Sequence, residues 1–182
     1  MPRISVVGVD DGTFVPHSRA GQSTALVAVL FTNLSIRGVR IGRITVDGTD
    51  ATSVLVSMLK GLRFDVVLLS GISFGGFNLI SLSRLNMELG KPVIAISGKR
   101  PENELVRGAL KAHFEDWKDR MRIVRASGRI YSVKPLREEP TLFFEVKGAK
   151  PEFARHVIRY YAKISRLPEP IRAAGILAKG LS

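Results

Sequence analysis

Hydrophobic positions at the start of the chain come in short runs rich in valine and isoleucine. Residues 3–9 predict a buried strand, ended by Asp10-Asp11-Gly12, and the polar stretch to Gln22 predicts a loop. Residues 24–32 predict a second strand, and 33–37 contain a turn. Residues 39–46 alternate apolar and polar positions, with the register broken near Gly42, where a bulge is expected. Three strands this close in sequence predict an antiparallel meander.

The period then changes. Asp50 predicts the N-cap of a helix through Leu62, with Val54, Leu55, Met58, Leu59 and Leu62 at helical spacing. Residues 65–69 predict a strand buried on both faces, as in parallel pairs. Residues 71–77 predict a glycine-rich turn, and about 78–89 a helix. Another buried strand follows at 92–97. Helices are expected over about 102–112 and 114–122, a hairpin from 130–133 and 142–146, and helices over 151–165 and 168–179. Meander strands followed by helix–strand–helix–strand–helix give a mixed sheet with helices on its faces. Right-handed crossovers place the fourth and fifth strands beside the first. The expected fold class is therefore α/β. It is a ribonuclease H-like mixed five-stranded sheet with flanking helices, plus a C-terminal hairpin and helices, in one domain over residues 1–182. A flavodoxin-like fold needs a helix between the first two strands, and residues 11–22 are too short and polar for one.

Composition narrows the function classes. The 182 residues are 45% hydrophobic, and a chain of this size buries roughly 70% of its unfolded surface, so extended disorder is excluded. No run of about 20 uncharged apolar residues predicts a transmembrane helix. The N-terminal apolar run stops at two aspartates without a small-residue cleavage site and reads as a strand, not a signal peptide. The chain has no cysteine, which removes thiolate nucleophiles, zinc–cysteine sites and iron–sulfur clusters and fits a cytoplasmic protein. The net charge of +12 attracts polyanions, and nucleic acid is the expected partner.

Candidate chemistry gathers where ligand sites of open α/β sheets form, at the carboxyl ends of strands. Asp10 and Asp11 end the first strand. They point to opposite faces, so one of them is expected at any given site. An acidic spot on a basic protein suits a divalent cation, Mg2+ or Mn2+, which offsets repulsion between carboxylate and phosphate. The same Asp-Asp-Gly also suits a plain turn. Asp47 and Asp50 end the third strand, either as turn and cap or as further ligands. Ser70-Gly71-Ile72-Ser73-Phe74-Gly75-Gly76-Phe77-Asn78 follows a buried strand, and its glycines allow close approach of a backbone or phosphate. It is no Walker motif, and the chain has no nucleophile elbow for Ser23, Ser70 or Ser73. Phe74 and Phe77 serve either the core or the wall of a base pocket. His17 lies in the first loop, near these acids. Arg155, Arg159, Lys163 and Arg166 recur at helical spacing, and Arg120, Arg122, Arg125 and Arg129 form a second basic zone. Either can track phosphates or be a solvated face.

Four motifs occur in order: Gly8-Val9-Asp10-Asp11-Gly12, Val46-Asp47-Gly48-Thr49-Asp50-Ala51-Thr52, Gly71-Ile72-Ser73-Phe74-Gly75-Gly76-Phe77-Asn78 and Leu167-Pro168-Glu169-Pro170-Ile171-Arg172. Together they resemble the archaeal endonuclease dU family, and more distantly endonuclease V. The resemblance implies metal-dependent cleavage of DNA at or near a deaminated base, deoxyuridine here. It implies Asp10 as the central metal ligand, with Asp47 or Asp50 where endonuclease V has a glutamate. It departs from endonuclease V at Ser70, where that family has an aspartate, and at Glu145-Val146-Lys147-Gly148, where it has a late histidine.

The resulting expectation assigns Asp10, Asp11, Asp47 and Asp50 to catalysis, with Asp10 and Asp47 on the metal. Ser70, Ser73, Gly75, Gly76, Phe77, Asn78 and Arg172 are expected at the substrate, which is DNA carrying a deaminated base or single-stranded DNA. Ser70 also motivates an alternative, a nucleic-acid-binding module of the same fold that does not cut. A mononucleotide or metabolite enzyme built on the glycine-rich turn is a third possibility.

Overall fold

The computed structural model describes residues 4–14 and 21–181. His17 lies outside them. The meander forms as the pattern predicts: β1 (Ser5–Asp11), β2 (Ser23–Thr32) and β3 (Ser35–Thr45) pair antiparallel in sequence order. The register shifts between Leu30 and Phe31, not at Gly42. Gly42 has a packing role instead: a Cβ there would lie 2.6 Å from the sulfur of Met58, on the helix that covers β3.

That helix, α1 (Ala51–Leu59), leads into β4 (Val66–Leu69), parallel to β1. The helix expected to begin near Asn78 starts later. Two short strands, β5 (Ser73–Phe74) and β6 (Asn78–Leu79), make a hairpin first, and α2 (Leu82–Leu89) begins only where the Ser81 hydroxyl accepts from the Arg84 N–H. The side chain of Asn78 is committed to backbone groups of other segments, which holds this stretch extended. β7 (Val93–Ser97) pairs parallel with β4. Helices α3 (Asn103–His113) and α4 (Trp117–Ala126) follow.

The late hairpin, β8 (Tyr131–Val133) and β9 (Leu142–Lys147), is not an appendage. β9 pairs antiparallel with β7, so the expected five strands become a seven-stranded sheet in the order β3-β2-β1-β4-β7-β9-β8. Helices α5 (Pro151–Tyr161) and α6 (Glu169–Gly180) end the chain. The first is a turn shorter than expected, and Gly180 lies inside the second.

Two cores sandwich the sheet. One joins Val6, Val27, Leu68, Ile94 and Phe144 to residues of α5 and α6. The other joins Val7, Leu26, Val67 and Ala95 to residues of α1 and α2. Alternation on β1 decides the sides: Val6, Gly8 and Asp10 face α6, while Val7, Val9 and Asp11 face α1. Gly8 has no room for a side chain, because the Pro170 backbone seats directly on it. A third, smaller cluster ties Leu110 of α3 and Met121 and Val124 of α4 to Leu79 and Phe77. No helix among the described residues is long and apolar enough to cross a membrane.

Candidate active site at the carboxyl ends of the central strands

Asp10 and Asp11 leave β1 on opposite faces, yet their carboxyl groups meet at the strand end within hydrogen-bonding reach of each other. The expectation that one aspartate alone would face the site is therefore corrected. Asp10 Oδ1 accepts from the Ser70 hydroxyl and from the Asp11 N–H at 3.0 Å, and its Oδ2 lies against Gly175 of α6. Asp11 Oδ2 accepts from the Gly75 N–H at 2.6 Å. Burial raises the Asp10 carboxyl above the usual range, against the Ser70 hydrogen bond and the Lys179 ammonium, which lower it. Burial, with Asp10 adding repulsion, pushes Asp11 up to about 6 despite the Gly75 hydrogen bond. Two desolvated, mutually repelling carboxyls side by side are a place where a cation would relieve the repulsion.

Asp47 does not join them. β2 separates β1 from β3, which sets the backbones roughly 10 Å apart. Asp47 has φ +56°, accepts from the Phe77 N–H at 2.8 Å and donates its own N–H to the Gly75 carbonyl at 2.7 Å. Its carboxylate fills the space a Cβ on Gly76 would occupy. Asp11 and Asp47 thus grip the Gly75-Gly76 turn from two sides.

Asp50 does not cap α1 with its side chain; it reaches back to the Thr45 N–H and hydroxyl, and accepts from the Asn78 amide at 2.5 Å. Partial burial alone would raise it, but the hydrogen bonds from Asn78 and Thr45 outweigh that and hold it below the usual range. Asn78, expected at the substrate, is fully buried, and its side-chain oxygen accepts from the Ala51 N–H at 3.0 Å. Among the described residues, no three acids or histidines are grouped to hold a metal ion.

Arg120, which the sequence places in a basic zone, is buried. Its guanidinium donates to the carbonyls of Asp47, Gly48 and Phe77 at 2.7–2.9 Å and pairs with Asp116 at 2.8 Å. It fastens the Asp47 turn and the glycine-rich loop to α4. Other basic groups are also engaged: Arg155 and Arg159 donate to the Ser132 and Lys134 carbonyls, Arg166 to those of Gly98 and Thr141, and Arg172 pairs with Glu169 at 2.6 Å. The Ser73 hydroxyl donates to the Gly76 carbonyl at 2.6 Å and closes the turn.

A cavity of about 370 Å³ opens beside the acids, within the roughly 300–1,000 Å³ typical of small-ligand sites. Ser70, Ser73 and Phe77 line it from the glycine-rich loop, Lys99 from the loop after β7, and Val106 and Val124 from α3 and α4. Glu145 of β9 lines it too, and burial pushes this carboxyl up to about 7. Sequence reading marks Glu145 only as the place of a missing histidine, because its alternation with Leu142, Phe144 and Val146 matches an ordinary solvent-facing strand position.

The mixed seven-stranded sheet with helices on both faces has counterparts among solved structures. A DNA-bound endonuclease V from Ciona intestinalis, in complex with a 24mer containing an inosine followed by a ribo-adenosine, superposes with a TM-score of 0.59 at 14% identity. The match covers 97% of this chain and 85% of that one. A protein of unknown function from Archaeoglobus fulgidus superposes with a TM-score of 0.84 at 24% identity, over 97% and 96% of the two chains. The sequence matches the endonuclease dU family over residues 2–182. It is 36% identical to a UPF0215 protein of Pyrococcus furiosus over 98% of this chain and 92% of that one. The chain belongs to the endonuclease dU family, and family and fold together support a nuclease.

Proposed function

We propose that this protein is a metal-dependent endonuclease that cuts DNA at or near a deaminated base, deoxyuridine in the first instance. One observation carries the reading: the Ser70 side chain both hydrogen-bonds Asp10 and lines the cavity. A carboxylate centre suited to a phosphodiester and a pocket of base-binding size therefore share a wall. Asp10 and Asp11 would hold the cation, Mg2+ or Mn2+. When bound, such an ion activates water and steadies the leaving oxygen. The chain's own groups do the positioning. Ser70 and Gly175 fix Asp10, the Gly75 N–H fixes Asp11, and Phe77 offers a stacking face to a base drawn out of the helix. Asp47, Asp50 and Asn78 serve by building the loop that carries these groups. Exposed lysines and arginines hold the DNA backbone.

The test is cleavage of paired oligonucleotides with and without one deoxyuridine, in Mg2+, Mn2+ or chelator, with Asp10→Asn as control. Nicking that needs metal and deoxyuridine and is lost in the variant is expected. Full activity in purified Asp10→Asn would sink the assignment. The pairing of a serine with Asp10, where endonuclease V has an acid, favours a second reading: a module that binds DNA without cutting. Tight, metal-independent DNA binding with no nicking would establish it.

A further inference from the structure

Glu145 is only 5% exposed, yet its carboxyl makes no ion pair and no hydrogen bond to another residue among the described ones; its own N–H is its partner. Acids this deeply buried are almost always paired. Lys99 and Arg100 line the same cavity but are exposed and do not bridge to it. The rest of the lining is mostly apolar, with Ile72, Phe77, Val106 and Val124, but includes Ser70, Ser73, Ser97 and Asn103. A buried acid bonded only by its own backbone N–H, lining a mostly apolar cavity with exposed cations beside it, keeps acceptor capacity for an incoming donor.

We infer that Glu145 is the specificity-determining residue that reads the Watson–Crick edge of a base drawn into this cavity, accepting the ring N–H that deamination creates. The inference rests on the endonuclease reading above. Deamination changes an edge with a ring-nitrogen acceptor beside an amino donor into one with a ring N–H donor beside a carbonyl acceptor. A Glu145 carboxylate accepts that N–H, and the adjacent carbonyl turns toward the Lys99 and Arg100 side of the cavity. Cytosine in the same pose sets its ring lone pair against the carboxylate, and polar groups left unpaired in this way are the strongest means of rejection a pocket has. Thymine carries the same edge as uracil, so its exclusion falls to the walls facing its methyl group and is not assigned to Glu145.

Ionisation sharpens the choice. A protonated carboxyl both donates and accepts, and so satisfies either edge; the carboxylate satisfies only the N–H. With Glu145 titrating near 7, selectivity rises as pH passes through that value. The charged groups lining the cavity with it are Lys99 and Arg100; α3 and α4 contribute Asn103, Val106 and Val124, and the glycine-rich loop contributes hydroxyls and Phe77.

The experiment measures binding of the full chain to duplexes with uracil or cytosine opposite a mismatched base, in chelator so that nothing is cut, at pH 6 and pH 8.5. Cleavage is followed in parallel with metal. Wild type is expected to prefer uracil, more so at pH 8.5. Glu145→Leu should lose roughly 10- to 100-fold of that preference while keeping its affinity for undamaged DNA. Glu145→Gln, which keeps the shape and presents both a donor and an acceptor at every pH, should show a lower preference that does not change with pH. It carries the test alone if the leucine variant does not fold. Wild-type preference in Glu145→Leu, or an unchanged pH response in Glu145→Gln, overturns the assignment while leaving cleavage intact. A wild-type protein that neither cuts nor prefers uracil overturns the endonuclease reading and this inference with it.

Discussion

Gly175 of α6 lies so close to Asp10 that a methyl group at residue 175 would overlap the aspartate's Oδ2. The last helix of the chain is therefore part of the acidic centre formed by the first strand. Gly175→Ala must displace either the helix or the carboxyl. The expected result is at least a tenfold loss of cleavage with a stability loss of about 1–3 kcal/mol, the usual cost of overpacking. Gly8→Ala, which meets the Pro170 backbone instead, should lose more stability. Urea melts and cleavage rates on the two variants separate the effects, and equal activity losses per unit of lost stability would contradict a local role for Gly175.

Ser70 lowers the Asp10 carboxyl toward its ordinary range by donating to it. Removing that hydroxyl leaves burial unopposed by its closest donor. Ser70→Ala is expected to slow cleavage several-fold and to move the acidic limb of the pH–rate profile upward. A variant that slows with an unmoved limb would show that Ser70 acts on the cavity and not on Asp10.

Arg120 makes three carbonyl contacts and one ion pair from a buried position. Arg120→Met leaves those carbonyls and Asp116 without their donor and should cost about 3–5 kcal/mol. For a chain of this length that is a Tm drop of roughly 6–20 °C. Arg120→Lys should recover little, since an ammonium cannot reproduce the fork. Differential scanning calorimetry decides between them.

Burial raises both Glu145 and Asp11, so each favours the folded state most at low pH. That contribution is complete below the unfolded values near 4 and is lost as pH rises through about 6 for Asp11 and about 7 for Glu145. Glu145→Gln removes one of these losses. It should match wild type near pH 4.5 and exceed it by about 2–3 kcal/mol at pH 8.5. Thermal unfolding at the two pH values checks the sign, and a constant difference would mean that Glu145 titrates normally.

Strand order was legible because the meander and the two doubly buried runs, Val66–Leu69 and Val93–Ser97, leave few right-handed ways to connect. Asp10 was legible as the end of a strand. Asn78 was not, because a polar residue before an apolar helical pattern looks like a start signal, and its three long-range amide contacts have no local signature. Asp50 misleads in the same way: cap chemistry and a reach back to Thr45 use the same side chain. Arg120 and Glu145 look like surface charges until α4 packs over the glycine-rich loop and β9 joins β7.

The two halves of the proposed site come from distant stretches of chain. Asp10, Asp11 and Ser70 belong to β1 and the end of β4, whereas the cavity takes Val106, Val124 and Glu145 from segments added beyond β7. Substitutions in α3, α4 and β9 can reshape the cavity without disturbing the carboxyl pair. Under the proposed endonuclease reading, this architecture lets target choice drift within a lineage while the acidic centre stays constant.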